Sequence, residues 1–176
     1  MSEKIQSIVV SKAIIQEKVH ELAMKISEDY KGDELVLIGV LKGGFIFLAD
    51  LAREITIPVS IDFIAVSSYG ASTKSSGVVK LLKDIDIDIS NKHILLVEDL
   101  IDTGLTLNHL KELFKTRNPK SVKICTILDK PSRRLIQIPV EYPGIQIPDK
   151  FVVGYGLDYA EKYRNLPEVY ELLVQK

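Results

Sequence analysis

Hydrophobic spacing changes several times along the chain, and the changes divide it into elements. Between residues 11 and 30 the apolar positions Ile15, Val19, Leu22, Met24 and Ile26 fall mostly three or four apart, and Gly32 and Asp33 follow. That spacing predicts an amphipathic helix closed by a turn. Residues 35–41 read LVLIGVL, a continuous apolar run ahead of Gly43 and Gly44. A strand that is apolar on both faces belongs in the middle of a parallel sheet. A second helix follows to about Glu54, residues 59–66 alternate loosely as a strand, and residues 93–97 and 122–128 are further buried-strand runs. Between the last two, Leu107, Leu110, Leu113 and Phe114 make a helical stripe. Strand and helix in alternation predict an α/β fold, a parallel twisted sheet flanked by helices, with its ligand site at the carboxyl ends of the strands.

Residues 67–89 interrupt the alternation. SSYGASTKSSG is rich in small polar residues, and residues 78–83 followed by 84–89 suggest a hairpin or flap. A long loop of this composition inside one domain reads as a lid. The repeat DIDIDI at residues 84–89 resembles a calcium loop only superficially, because Ile89 stands at the glycine position and Leu95 at the bidentate glutamate position. It is read as a strand with one solvated acidic face.

Composition narrows the class. A chain of 176 residues with 46% hydrophobic content supports one substantial core, and neither repeats nor linkers divide it, so residues 1–176 are taken as a single domain. The formal net charge is -1. No whole-molecule field attracts nucleic acid or an anionic membrane, and any phosphate binding must be local. The first eleven residues lack the apolar core of a signal peptide, and the apolar runs fall far short of the ~20 residues of a bilayer span. The single cysteine, Cys125, lies in an apolar run and is read as a buried filler in a reducing, cytoplasmic protein. His20, His93 and His109 have no metal-triad spacing and are read as ordinary helix or strand residues.

The chemistry concentrates in residues 95–106, LLVEDLIDTGLT, where a hydrophobic strand delivers three carboxylates and a Thr-Gly turn to the start of a helix. A capped βα turn favours the same residue types. Two adjacent acids at the end of a buried strand are, however, costly for capping alone. A sugar phosphate reconciles acid with anion: carboxylates accept from ribose hydroxyls and hold magnesium, while amides at the helix start bind phosphate.

VEDLIDTGLT resembles the phosphoribosyl-pyrophosphate signature of the type I phosphoribosyltransferases, and the rest of the chain resembles their hypoxanthine-guanine branch. The resemblance implies a small hood built from the chain termini and a flexible lid at about residues 67–89. It implies that Glu98 and Asp99 approach the ribose hydroxyls and the magnesium shell, that Leu100 and Ile101 continue the phosphoribosyl-binding run, and that Asp102 is a general base near the purine imidazole. Thr103, Gly104, Leu105 and Thr106 would wrap the 5′-phosphate. Leu105 departs from relatives with Lys at this position, which leaves the phosphate to backbone amides and threonine hydroxyls.

Leu41, Lys42, Gly43 and Gly44 resemble the pyrophosphate loop, implying a cis peptide at Leu41-Lys42 whose amides turn toward the leaving group. A Gly-Gly turn after a strand is common in itself, and Phe45 sits where a Walker A loop would need Lys. Ser68 and Tyr69 resemble the lid tip, which by composition alone is an ordinary loop. Lys130 matches the lysine that donates to the purine C6 oxygen, although a lone turn lysine is usually solvated. The run FVVGYGLDYAEKYR at residues 151–164 resembles the carboxyl-terminal signature. There Phe151 would stack on the base, the Val152 backbone would read its edge, Asp158 beside the base would contact a second magnesium, and Arg164 would clamp pyrophosphate. A dinucleotide reading of GYGLDY fails because Tyr159 occupies the place of the third glycine.

The implied activity is purine salvage: transfer of phosphoribosyl from phosphoribosyl pyrophosphate to hypoxanthine, and to guanine, giving IMP or GMP and pyrophosphate with Mg2+. Family members commonly form dimers or tetramers, for which apolar surfaces on the first two helices would serve. Two alternatives stand beside this: the same enzyme class preferring xanthine, and a nucleotide-sensing regulator that binds nucleic acid. The second needs a basic surface, for which the chain offers only small patches at residues 111–117 and at Arg133 and Arg134.

Overall fold

In the computed structural model, which describes residues 2–68 and 79–175, the run Leu35–Leu41 is strand β2. It follows β1 (Ser2–Val10) and helix α1 (Lys12–Asp29). The chain continues through α2 (Phe45–Glu54), β3 (Val59–Ser68), β4 (Val79–Lys83), β5 (His93–Ile101), α3 (Leu105–Lys115) and β6 (Ser121–Asp129) to the short strands β7 (Ile145–Gln146) and β8 (Val152–Val153) and to β9 (Val169–Gln175). Six strands form one sheet in the order β4-β3-β2-β5-β6-β7. All its pairings are parallel except that of β4 with β3.

The two-residue period of the central strands sorts their side chains between two cores. Leu35 and Leu37 of β2, and Leu95 and Val97 of β5, pack with Val19 and Leu22 of α1 and Phe47 and Leu51 of α2. Val36, Ile38 and Val40, with Ile94 and Leu96, face Leu107, Leu110 and Phe114 of α3. Each such fully buried side chain contributes about 1.5–3 kcal/mol, which makes this two-sided sheet the rigid platform for its carboxyl-end loops. Cys125 is fully buried in the first core, where loss of water pushes its thiol well above the usual range. Ser11 caps α1 by accepting from the Ile14 amide.

Both chain ends meet in a separate antiparallel sheet, β1-β9-β8, whose strands periodicity did not predict. Register shifts between Ile5 and Ser7 and between Ile8 and Val10 break the alternation of β1.

Residues 84–89 are not the predicted strand, and the hairpin forms between β3 and β4 instead. The Asp62 carboxylate of β3 accepts from the amides of Asp86 and Ile87 at 2.7 and 2.9 Å, so those groups find a side chain rather than a strand. Ile85, Ile87 and Ile89 still pack on the α3-side core, which explains the alternation. Among the described residues no helix is long and apolar enough to cross a membrane.

Candidate active site

Three parallel strands end on one side of the sheet and deliver their following loops to one cleft. β2 leads to Lys42 and Gly43, β5 runs four residues beyond its predicted end to carry Glu98 through Ile101, and β6 leads to Lys130. From the other side come Phe151, β8 and residues 154–164. Together they enclose a cleft of about 640 Å³ lined by Lys42, Gly43, Asp99, Leu100, Asp102, Lys130, Phe151, Val152, Asp158 and Arg164. A smaller hollow of about 210 Å³ adjoins it, lined by Glu98 through Gly104 together with Thr106. Thus, of the expected site residues whose side chains are described, all but Leu41, Gly44 and Leu105 line one of the two spaces. Leu105 begins α3 next to them. Ser68 ends β3, and Tyr69 with the rest of the lid tip lies outside the described residues.

Glu98 and Asp99 are each 9% exposed and adjacent in a strand. The Asp99 amide donates to the Glu98 carboxylate at 3.2 Å, and the Leu100 amide to that of Asp99 at 2.7 Å. Burial first, and then the neighbouring Asp99 charge, push Glu98 well above the usual carboxylate range. Burial raises Asp99 too, against hydrogen bonds from Glu98 and the Leu100 amide and the charge of Arg164. A β-carbon on Gly43 would lie 1.7 Å from an Asp99 oxygen, so only glycine lets the β2 loop close over this carboxylate. A buried pair of hard oxygen ligands that burial keeps from ionising freely is what a magnesium ion, supplying the missing positive charge, suits. No group of three or more potential metal ligands gathers among the described residues. The carboxylates present therefore fit magnesium as one or two anchors, the remaining positions falling to substrate and water.

The turn into α3 is built for an anion. Gly104 takes φ 84°, a left-handed conformation that glycine adopts without strain. The first intrahelical bond is from the Asn108 amide to Gly104, so the preceding amides have no partner in the helix. Leu105 makes only a long bond, 3.4 Å, to the Thr103 hydroxyl.

Asp102 is held from the β6 side. Arg133 Nε donates to its carboxylate at 3.1 Å, and Arg134 donates to its carbonyl at 2.9 Å while pairing with Asp129. Arg133 also approaches Asp149 at 3.7 Å, and these acids hold its guanidinium more firmly protonated. Lys130, 7% exposed, donates from Nζ to the Lys150 carbonyl at 2.6 Å. Phe151 is half exposed at the mouth, edge-on to Tyr159 at 5.7 Å. Across the cleft the Leu41-Lys42 peptide is cis. Lys42 pairs with Glu161 at 2.9 Å. Arg164 reaches Asp158 and the Gly156 carbonyl, each at 2.8 Å.

The sequence reading missed Arg133, Arg134, Lys150 and Glu161 as parts of this site. The two arginines were legible only as a basic patch. Their position just past the end of a buried parallel strand was the available signal, since that is where an α/β sheet gathers its site. Neither basic patch remains a free positive surface: Arg133 and Arg134 pair as described, Lys111 pairs with Glu141, Lys115 with Glu112 and Arg117 with Asp84.

Comparison with known proteins gives a consistent set of likenesses. Residues 7–160 match the family described as phosphoribosyl transferase domain. The hypoxanthine phosphoribosyltransferase of Salmonella typhimurium is 51% identical over 164 residues, spanning 92% of this chain and 92% of that protein. The hypoxanthine-guanine phosphoribosyltransferase of Bacillus subtilis is 50% identical over 169 residues, spanning 96% of this chain and 94% of that protein. A crystal structure of a hypoxanthine-guanine phosphoribosyltransferase from Bacillus anthracis aligns with a TM-score of 0.91 at 51% identity, covering 98% of this chain and 100% of that one.

Proposed function

The chain belongs to the phosphoribosyltransferase family, and from that premise we propose that it joins hypoxanthine, and guanine, to the ribose of phosphoribosyl pyrophosphate, releasing pyrophosphate and giving IMP or GMP. The observation that carries the reading is the junction of β5 and α3. Buried carboxylates and helix-start amides without partners in the helix border one hollow of about 210 Å³, suited to the hydroxyls and the phosphate of one sugar phosphate.

In this mechanism the amides and hydroxyls of residues 103–106 hold the 5′-phosphate, and Glu98 and Asp99 orient the ribose. Glu98 and Asp99, with Asp158 beside the base, would hold magnesium, directly or through water, whose contribution when bound is to neutralise negative charge developing on the leaving group. Lys42, the Gly43 amide and Arg164 supply fixed positive charge and donors to the same group. The anomeric carbon passes through an oxocarbenium-like state, as in glycosyl transfer generally, so departure of the anion matters more than force of attack. Asp102 takes or shares the proton of the base imidazole, released from Arg133 as the purine enters.

Lys130 exchanges the Lys150 carbonyl for the purine C6 oxygen, and Phe151 stacks on the ring. An ammonium donates and cannot accept, which favours a 6-oxo base over adenine. Closure of a lid at residues 67–77 would keep water from the cation. Ile14 and Phe45, exposed on the first two helices, are where we place contacts of a dimer or tetramer. The single buried thiol suits the cytoplasm as its compartment.

Pyrophosphate release measured with hypoxanthine, guanine, xanthine and adenine tests the reading. Release with hypoxanthine and little with adenine is expected; release with none of the four would end it.

A further inference from the structure

We infer that Glu161 is an internal competitor for the pyrophosphate subsite, its carboxylate occupying Lys42 and Arg164 until a phosphate-bearing ligand displaces it. The inference rests on the phosphoribosyltransferase reading above, in which those two cations receive the leaving group.

One carboxylate oxygen, Oε2 of Glu161, lies 2.9 Å from Lys42 Nζ and 3.6 Å from the Arg164 guanidinium. It thus bridges two cations that come from opposite walls of the cleft, Lys42 lying 119 residues before Glu161 in the chain. The Lys42 hydrogen bond and charge, followed by those of Arg164, hold the Glu161 carboxyl below the usual range. Lys42 and Glu161 are each 66% exposed in their side chains. Such an exposed pair is weak, and a polyanion with magnesium can replace it.

The backbone indicates that the carboxylate is what this turn presents. Reciprocal bonds between Tyr159 and Lys162, at 3.1 and 3.0 Å, close a two-residue hairpin. Its central residues, Ala160 and Glu161, have φ of 50° and 64°, the pattern of a type I′ turn. That turn favours Asn-Gly, and an ordinary L-residue in a left-handed conformation is disfavoured. Asp158 offsets part of this by accepting the Glu161 amide at 2.9 Å, which fixes the carboxylate over the cations. The backbone would be easier to form with glycine at position 161, but only an acid there reaches Lys42 and Arg164.

The consequence is a tuned exit. An internal anion weakens pyrophosphate binding in the product complex and returns the cations to a satisfied state once the product leaves. Titration of inorganic pyrophosphate in excess magnesium into the intact chain tests this, with Glu161→Gln and Glu161→Asn as variants. Asn tolerates the left-handed backbone and guards against misfolding at this turn. Both variants should bind pyrophosphate about two- to fivefold more tightly at low salt, a gain that shrinks at about 0.5 M salt and disappears in a Lys42→Ala background. The Michaelis constant for phosphoribosyl pyrophosphate should fall in step. Unchanged or weaker pyrophosphate binding in either variant overturns the inference. Failure of the underlying reading looks different: the wild-type chain then forms no nucleotide from phosphoribosyl pyrophosphate and any purine, and both fall together.

Discussion

Asp62 on β3 and the pair Glu98 and Asp99 on β5 are buried carboxylates of one sheet, separated by β2, and their surroundings treat negative charge in opposite ways. Asp62, 7% exposed, accepts from three backbone amides, those of Phe63, Asp86 and Ile87, with Lys83 3.7 Å away. Although burial raises it, the amides of Ile87, Phe63 and Asp86 and the Lys83 charge prevail and hold its carboxyl below the usual range. Glu98 and Asp99 are buried as deeply but lean on each other, and burial raises both. The first carboxylate is architecture, tying the segment after β4 to the sheet. The second pair is held short of free ionisation at the mouth of a cleft until a cation arrives, which a purely structural site avoids.

The comparison is tested first at Asp102, which belongs to neither class: it is part exposed and held by Arg133. Asp102→Asn should lower turnover with hypoxanthine by about 10²-fold or more if it serves as the base. Unchanged turnover would remove it from that role.

Glu98→Gln sharpens the contrast, because its effects on activity and stability should have opposite signs. Turnover should drop about 10- to 100-fold. An acid raised in the native state stays protonated there between its ordinary and its raised value, so folding stability falls as pH rises through that interval. The metal-free wild type should therefore lose melting temperature as pH rises above the ordinary carboxylate range, and Glu98→Gln should be spared, melting about 2–4 °C higher at pH 8 for each kcal/mol relieved. A lower melting temperature at pH 8 would show the pair to be structural.

Asp62→Asn should do the reverse: turnover within about twofold of wild type, and a loss of about 1.5–3 kcal/mol read from denaturant unfolding. The lowered acidity of Asp62 contributes stability above its ordinary range that is lost as pH falls through the lowered one, so the gap between wild type and variant should close in acid. Smallest is Leu105→Lys at the start of α3, expected to lower the Michaelis constant for phosphoribosyl pyrophosphate only about two- to fivefold, the size of one solvated charge near a phosphate. A larger gain would mean that the amides of residues 103–106 hold the phosphate poorly.

The same contrast explains what was legible in the amino-acid sequence. The apolar run of β2 and the stripe of α3 announced the sheet and its covering, because burial on both faces or on one leaves a local pattern. Glu98, Asp99 and the Gly104 turn were legible because a costly acidic pair stood directly before a helix start. Strands β1 and β9 were not, since their partners lie at opposite ends of the chain and β1 is irregular in register. Residues 84–89 misled because their isoleucines pack on the core while the Asp86 and Ile87 amides bond to Asp62, and nothing local distinguishes that from a strand. Arg133, Lys150 and Glu161 join the site through contacts across the fold, with Asp102, Lys130 and Lys42 respectively, which no local spacing reports.

Proton release on binding examines the acidic pair most directly. Phosphoribosyl pyrophosphate with magnesium is titrated calorimetrically near pH 6 into wild type and Glu98→Gln, each in two buffers of different ionisation enthalpy. If Glu98 holds a proton until cation and ribose arrive, wild type releases up to about one proton more per chain than the variant. Equal release from the two, with both binding the ligand, would contradict it.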